Sequence, residues 1–210
     1  MPNISSSATP TCDSVYGAGF ECAKAIDGAT GTRWVSGSGQ PHYIELEWPA
    51  QHTFQQIRFW AQGAGGEQFS EYYIEHWDGA NWIEDVHVTP FSTWGEWIEH
   101  ELTFTTPKIR FRTTAGNNFT GLNELECYEY VPPVKLSGTI KQKGTPVQRT
   151  VRAYTRSTGA LYSSGASGED GSFSIDAPDT TTEMFIIAFD NGEEDQFNSL
   201  IFDRVKGVQQ

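Results

Sequence analysis

Along much of the chain apolar residues recur at every second position. In "YIELEW" Ile44, Leu46 and Trp48 fall on one side while Glu45 and Glu47 fall on the other. "QIRFW" repeats the pattern with Ile57 and Phe59, and "KIRFR" repeats it with Ile109 and Phe111. Side chains alternate across a strand, so this period specifies half-buried strands with one face in a core and one in water. That arrangement suits an antiparallel sandwich. "HWDGANW" sets Asp78-Gly79 between two strand-like runs, a dipeptide that closes hairpins. No stretch of ten or more residues shows the 3.6-residue period of an amphipathic helix, so the expected class is all-β.

The chain divides at "YVPPVKL". All seven tryptophans and all three cysteines precede Pro132. The boundaries expected are a first domain over 1–131, a stiff Pro-Pro spacer at 132–133 and a second domain over 134–210. In the second, "LSGTIKQ", "RTVRAYTR", "SFSID", "MFIIAF" and "NSLIFDRV" read as strands between turn-forming stretches, which predicts a small sandwich. The acidic run "NGEEDQ" within it reads as a solvated loop.

Charge restricts the partners. Of the formal −13, residues 1–133 carry 17 acids against 6 bases, and 134–210 carry 10 against 8. Such an acidic first domain repels phosphate backbones and anionic lipid heads, so neither nucleic acid nor membrane is an expected partner. No apolar run approaches the ~18 residues of a membrane helix, and "MPNISSSATPTC" lacks the order of an export signal. In a chain without export, Cys12, Cys22 and Cys127 are expected to be buried free thiols; one bridge among them is the alternative.

"AKAIDGATGTRW" is too polar for a core strand. Hard cations take six to eight oxygens, and a glycine-bearing turn supplies them by aiming carbonyls inward beside a carboxylate and a hydroxyl. Asp27, Thr32 and the carbonyls between them form such a set; a plain surface carboxylate capping a turn is the alternative. The spacing does not fit the helix-loop-helix calcium pattern. His42, His52, His76, His87 and His100 show no zinc spacing, and no nucleophile motif or phosphate loop is present, so no enzyme is expected. Sugar recognition needs an aromatic face beside planar hydrogen-bonding groups, and loops carry such residues over a rigid scaffold. The loop "TTAGNNFTG" offers Asn117, Asn118 and Phe119, and "TPFSTWGEW" offers Phe91 and Trp94. Gln68, Phe69 and Arg33 are further candidates. Asn118-Phe119-Thr120 is also a formal glycosylation sequon, discounted without export.

Taken in order, "AKAIDGATGTRW", "PHYIELEW", "QIRFWAQ", "YYIEHWDGANW", "PKIRFR" and "GLNELECYEY" resemble the discoidin, or coagulation factor V/VIII type C, family, which includes the family 32 carbohydrate-binding modules. The resemblance covers about residues 5 to 130. It implies a jelly-roll sandwich that binds sugar at its loop end, with Trp34 in the core. It also implies a structural calcium held by Asp27, Thr32 and Glu124, by the carbonyls of Lys24 and Ala29, and by Asn123 offering its carbonyl. Ala29 departs from the Asp or Asn common at that place, which removes one possible ligand charge. Phe119 with its amides corresponds to the aromatic platform of the sugar binders.

The second domain, with "LSGTIKQKGTPVQRTVRAYTRSTG" and "EDGSFSI", resembles the carboxypeptidase regulatory-like, transthyretin-like sandwich, commonly a spacer. The pairing as a whole resembles accessory virion proteins of tailed bacteriophages. That resemblance implies a host-glycan adhesin of tail or capsid, assembled in the host cytoplasm and docked to virion proteins through its second domain as an oligomer or array. The alternatives are a decoration protein that binds virion proteins and no sugar, and a secreted or cell-surface adhesin.

Overall fold

The computed structural model describes residues 1–63, 65–189 and 200–210. It is all-β: among the described residues the only helical turns are short 3-10 segments at Ser5–Ser7 and Cys22–Ala25. The chain divides into two compact units, Met1–Tyr130 and Val131–Gln210.

The first unit contains β1 (Thr9–Cys12), β2 (Trp34–Val35), β3 (His42–Ala61), β4 (Phe69–Trp77), β5 (Trp82–Val88), β6 (Trp97–Gly116) and β7 (Gly121–Glu129). They pair in the order β2-β7-β3-β6-β4-β5, with β1 also on β3. The two 20-residue strands β3 and β6 belong to both layers. The first half of β3 pairs with the second half of β6, as in Ile44↔Phe111, and its second half pairs with the first half of β6 and with β7, as in Phe59↔Ile98 and Phe59↔Leu125. Register shifts at Glu47/His52 and Phe54/Gln56 mark the bend. The second shift is decisive for the core. Ile44, Leu46, Trp48 and Phe54 are buried at even positions, whereas Ile57, Phe59 and Ala61 are buried at odd ones. Without the extra residue of a bulge, Ile57 and Phe59 would face water.

Asp78 starts the β4–β5 turn, its carboxylate accepting from the Ala80 and Asn81 amides at 2.7 Å each. Gly79 takes φ +106 there, a backbone region that suits glycine. Cys12 and Cys22 are joined in a disulfide, which corrects the expectation of free thiols. The end of β1 and the start of the 3-10 turn bring their Cα atoms to 5.9 Å, within bridging range, and this geometry overrides the compartment rule. Cys127 is free and buried, and desolvation pushes its thiol up to about 12.

The second unit holds β8 (Val134–Thr139), β9 (Lys141–Gln142), β10 (Thr145–Pro146), β11 (Thr150–Thr155), β12 (Leu161–Ala166), β13 (Ser172–Asp176), β14 (Met184–Ala188), β15 (Leu200–Val205) and β16 (Val208–Gln209). One sheet runs β12-β11-β14-β15, another β13-β8-β16, and β9 with β10 forms a small hairpin. Leu136, Phe173 and Ile175 from the second sheet pack with Val151, Ala153, Met184 and Ile186 from the first. β12 has no counterpart among the strands expected from sequence. It is an edge strand whose Leu161 and Tyr162 are both exposed, so it carries no alternation to read. The "NGEEDQ" run, 191–196, lies outside the described residues, as do Ala64 of the "AQGAGGEQFS" loop and the start of "NSLIFDRV".

Gly171 turns the chain into β13 at φ +74, and a Cβ there would run into the Ile140 carbonyl oxygen. Gly171→Ala is expected to destabilise the second unit by more than ~1 kcal/mol. Because every tryptophan lies in the first unit, the test is direct. In urea the fluorescence midpoint should stay in place while the circular-dichroism transition of the second unit moves to lower denaturant.

Candidate functional site

One end of the first unit gathers the loops between its strands. The guanidinium of Arg33 donates to Glu67 through Nε at 2.8 Å and Nη2 at 3.1 Å, and its carbon lies 5.1 Å from the centre of the Phe20 ring. Glu67 is buried, and its backbone carbonyl accepts from the Gly121 amide at 2.9 Å, which ties this pair to the start of β7. Beside it, Gln68 Nε2 donates to the Gly63 carbonyl at 2.9 Å. Asn117 Nδ2 donates to Gln68 Oε1 at 3.3 Å, while the Asn117 amide donates to the Gln68 carbonyl at 2.7 Å. The Asn118 carbonyl accepts from the Gly39 amide at 2.8 Å, and its side chain is exposed. Phe119 is half-buried, with the Tyr16 ring perpendicular to it at 5.3 Å between centroids.

Arg33, Gln68, Asn117, Asn118 and Phe119 are therefore linked through neighbouring residues into one surface. Phe69 and Phe91, expected there, are corrected to core residues. They are 0% and 6% exposed and stack on each other at 5.2 Å, because the apolar side of β4 and the loop before β6 both point inward. Trp94 is half-buried against the same cluster, its Nε1 donating to the Phe69 carbonyl at 3.3 Å. Only its remaining exposed part is available to a ligand. Three contributors escaped the sequence: Tyr16, Phe20 and Glu67. The signal for the first two was present, two aromatics in the glycine-rich "VYGAGF" between Cys12 and Cys22.

The second candidate lies at residues 24–32. Thr32 Oγ1 contacts both Asp27 carboxylate oxygens at 2.8 Å and donates towards the Ala29 carbonyl at 2.9 Å. Lys24 Nζ sits 3.5 Å from Asp27 Oδ2. Glu124, 1% exposed on β7, accepts from the Gly28 and Ala29 amides at 3.2 Å each. Burial, with Asp27 repulsion added, raises its carboxyl to about 7. Asn123 donates through Nδ2 to the Thr30 carbonyl at 2.8 Å, but its buried Oδ1 has no partner among the described residues. No three His, Cys, Asp or Glu side chains converge among the described residues, so the charged part of this set is Asp27 and Glu124. A buried carboxylate and an orphaned amide oxygen beside exposed carbonyls fit a hard, oxygen-seeking cation.

The first unit has a discoidin-like sandwich fold, similar to that of carbohydrate-binding modules. Residues 24–113 match the family model described as NedA-like, galactose-binding domain. The first unit is similar to chitosan-binding module 1 of a chitosanase/glucanase from Paenibacillus sp. IK-5, at 26% identity over 61% of this chain and 99% of that one, TM-score 0.53. It shares its fold with the family 32 module of Clostridium perfringens NanJ, solved with galactose, at 15% identity, over 60% and 96% of the two chains, TM-score 0.54. A second Clostridium perfringens module, solved with GalNAc-β-1,3-galactose, aligns at 16% identity over 60% and 99%, TM-score 0.54. Among curated proteins none matches the chain significantly.

The division between core and surface aromatics is testable. Phe91→Ala is expected to cost ~3–5 kcal/mol of stability, the range for an emptied aromatic core site. Phe119→Ala is expected to cost about 1 kcal/mol or less. Urea unfolding followed by tryptophan fluorescence measures both.

Proposed function

We propose that the first unit binds carbohydrate without catalysis, and that the chain is an accessory virion protein of a tailed phage, presenting this site to host-surface glycans. The observation that carries the sugar-binding part is the assembly of Phe119, Gln68, Asn117 and the Arg33–Glu67 pair at one loop end. An aromatic ring offers its face to the C–H side of a sugar, and amides and guanidinium offer donors and acceptors to its hydroxyls. Support comes also from the galactose-binding family model and from the chitosan-binding module at 26% identity.

Electrostatics narrows the ligand. Each of the first unit's six cations is ion-paired: Lys24 with Asp27, Arg33 with Glu67, Arg58 with Glu126, Lys108 with Glu45, and Arg110 and Arg112 with Glu75. No Lys or Arg side chain among the described residues of the first unit stands without a carboxylate partner, so neutral hexoses and amino sugars are favoured over uronic or sialic acids. On an array of bacterial polysaccharides and simple glycans, the protein displayed multivalently is expected to bind members of the first two groups and to lose them in Phe119→Ala. Silence across the array, or preference for acidic glycans, would sink this assignment.

The virion part rests on the pairing of the two domain types, with the second unit as the docking module. The exposed Leu200, Ile201 and Phe202 of β15 are consistent with docking. Weak single-site sugar affinity suits an oligomer or array on a particle, where multivalency compensates. A decoration protein that binds only virion proteins would share those exposed side chains and lack the array signal. Co-sedimentation with phage particles distinguishes both from a secreted or cell-surface adhesin.

The proposal also gives loop 24–32 a calcium ion, with Asp27, Thr32, Glu124, Asn123 and the carbonyls of Lys24 and Ala29 as its holders. The ion would supply positive charge to the buried Glu124 and pin the loop; it would not touch the sugar. Calcium at 100 times its Kd should then stabilise the native state by about 2.7 kcal/mol, seen as a higher Tm than in chelator. Asp27→Ala should abolish the difference. An identical Tm in calcium and chelator, with Asp27→Ala as stable as the wild type, would leave the loop held by its hydrogen bonds alone.

A further inference from the structure

We infer that Tyr16 is a second ring against which the ligand stacks, beside Phe119, and that the Cys12–Cys22 disulfide is the device that holds it in the site. This rests on the carbohydrate-binding role proposed above. Tyr16 is 62% exposed, more than any other aromatic side chain among the described residues of the first unit. A platform for a sugar must keep a ring face in solvent, and Phe119 is only half-exposed. The two rings are perpendicular at 5.3 Å, and Tyr16 also makes a T-shaped contact with Phe20 at 5.9 Å. Phe20 in turn lies under the guanidinium of Arg33 at 5.1 Å. Tyr16 thus joins the polar pair to the amide loop.

What positions Tyr16 is the closure of its loop. At the stem, the Tyr16 amide donates to the Val35 carbonyl at 2.8 Å and the Val35 amide donates to the Phe20 carbonyl at 3.3 Å. Trp34 Nε1 donates to the Ser14 carbonyl at 2.9 Å. Between these anchors run Gly17, Ala18 and Gly19, with Gly19 at φ +90, a tip of high conformational freedom. The bridge spans a separation of 10 residues and removes much of that freedom, so the ring is ordered before a ligand arrives. A dithiol reductant would reverse this. It transfers two electrons and two protons to the S–S bond, leaving two cysteine thiols and the oxidised, disulfide form of the reductant. The ordering cost then falls on binding.

The experiment uses the full chain with chitotriose and galactose as probes, by calorimetry or immobilised-ligand binding. The samples are wild type before and after dithiothreitol, the Cys12→Ser/Cys22→Ser double variant, Tyr16→Ala, Tyr16→Phe and Phe119→Ala, each with a melting curve. Tyr16→Ala should weaken binding on the order of tenfold or more, the weight of an aromatic hot spot, and Tyr16→Phe should retain it. Reduced wild type should bind severalfold more weakly while still folded at the assay temperature. If the double variant does not fold, Tyr16→Ala alone decides, since it leaves the bridge intact. Binding unchanged in both Tyr16→Ala and reduced protein, yet lost in Phe119→Ala, overturns the inference and leaves the carbohydrate site standing. Wild type that binds neither sugar overturns both.

Discussion

Everything at the loop end depends on the aromatic contact between the two layers of the first unit. Phe59 from one layer lies 4.9 Å from Tyr72 and 4.9 Å from Phe111 of the other. Phe69 and Phe91 extend the cluster towards the loops, each within 6.3 Å of Phe59. Rings of this size bury large apolar areas and add specific edge and stacked contacts, so they fix the spacing of the layers as well as hold them. Phe69 leads β4 directly out of Glu67 and Gln68, and Phe91 precedes Trp94 by three residues. Glu67, Gln68 and Trp94 are thus attached, one to three positions away, to the buried aromatic cluster.

Much of this was legible in the sequence, and the reason is periodicity. Ile44, Leu46, Trp48, Ile57, Phe59, Ile109 and Phe111 were all assigned inward by alternation, and all are buried. Alternation does not show a bulge, so the shift at Phe54/Gln56 that joins the two phases of β3 was invisible. Nor does it apply in loops. Phe91 sits among Pro, Ser and Thr, which reads as surface, yet it fills the core because the loop folds back over the sandwich end. Partners across the chain were equally hidden: Glu67 meets Arg33 from 34 positions away, and that pairing exists only once the fold does. The cysteine bridge failed for a different reason. A compartment rule carries no geometry, and the deciding quantity is the distance between the end of β1 and the start of the 3-10 turn.

The charge of the first unit follows the same logic of placement. Its acids outnumber its bases, and all six Lys and Arg side chains are paired with carboxylates, four of them between neighbouring strands. Glu75, only 5% exposed, receives both Arg110 and Arg112, and the two guanidinium groups keep its carboxyl below the ordinary range against the opposing effect of burial. Those guanidinium groups also cover aromatic faces, Arg110 over Trp82 at 4.3 Å and Arg112 over Tyr73 at 3.9 Å. The outer strand surface is therefore occupied with its own contacts. Aromatic residues there are already spoken for, unlike Tyr16, which is 62% exposed.

Glu124 stands at the opposite extreme from Glu75. Both carboxylates are buried, but Glu75 has two guanidinium partners, whereas Glu124 has two backbone amides and the nearby negative charge of Asp27. Two neutral donors do not offset desolvation of a charge as two cations do, which is why one carboxyl is lowered and the other raised. A carboxylate in the second situation has two ways to relieve its cost: take up a proton, or acquire a cation from solution. The loop at 24–32, with carbonyls and Thr32 arranged around Asp27, makes the second route chemically available at the same place. The strand β7 that carries Glu124 begins at Gly121, one residue past Thr120 of the aromatic loop. Loop 24–32, bonded to Glu124, and the loop that carries Phe119 and Asn117 are therefore both anchored to the same strand.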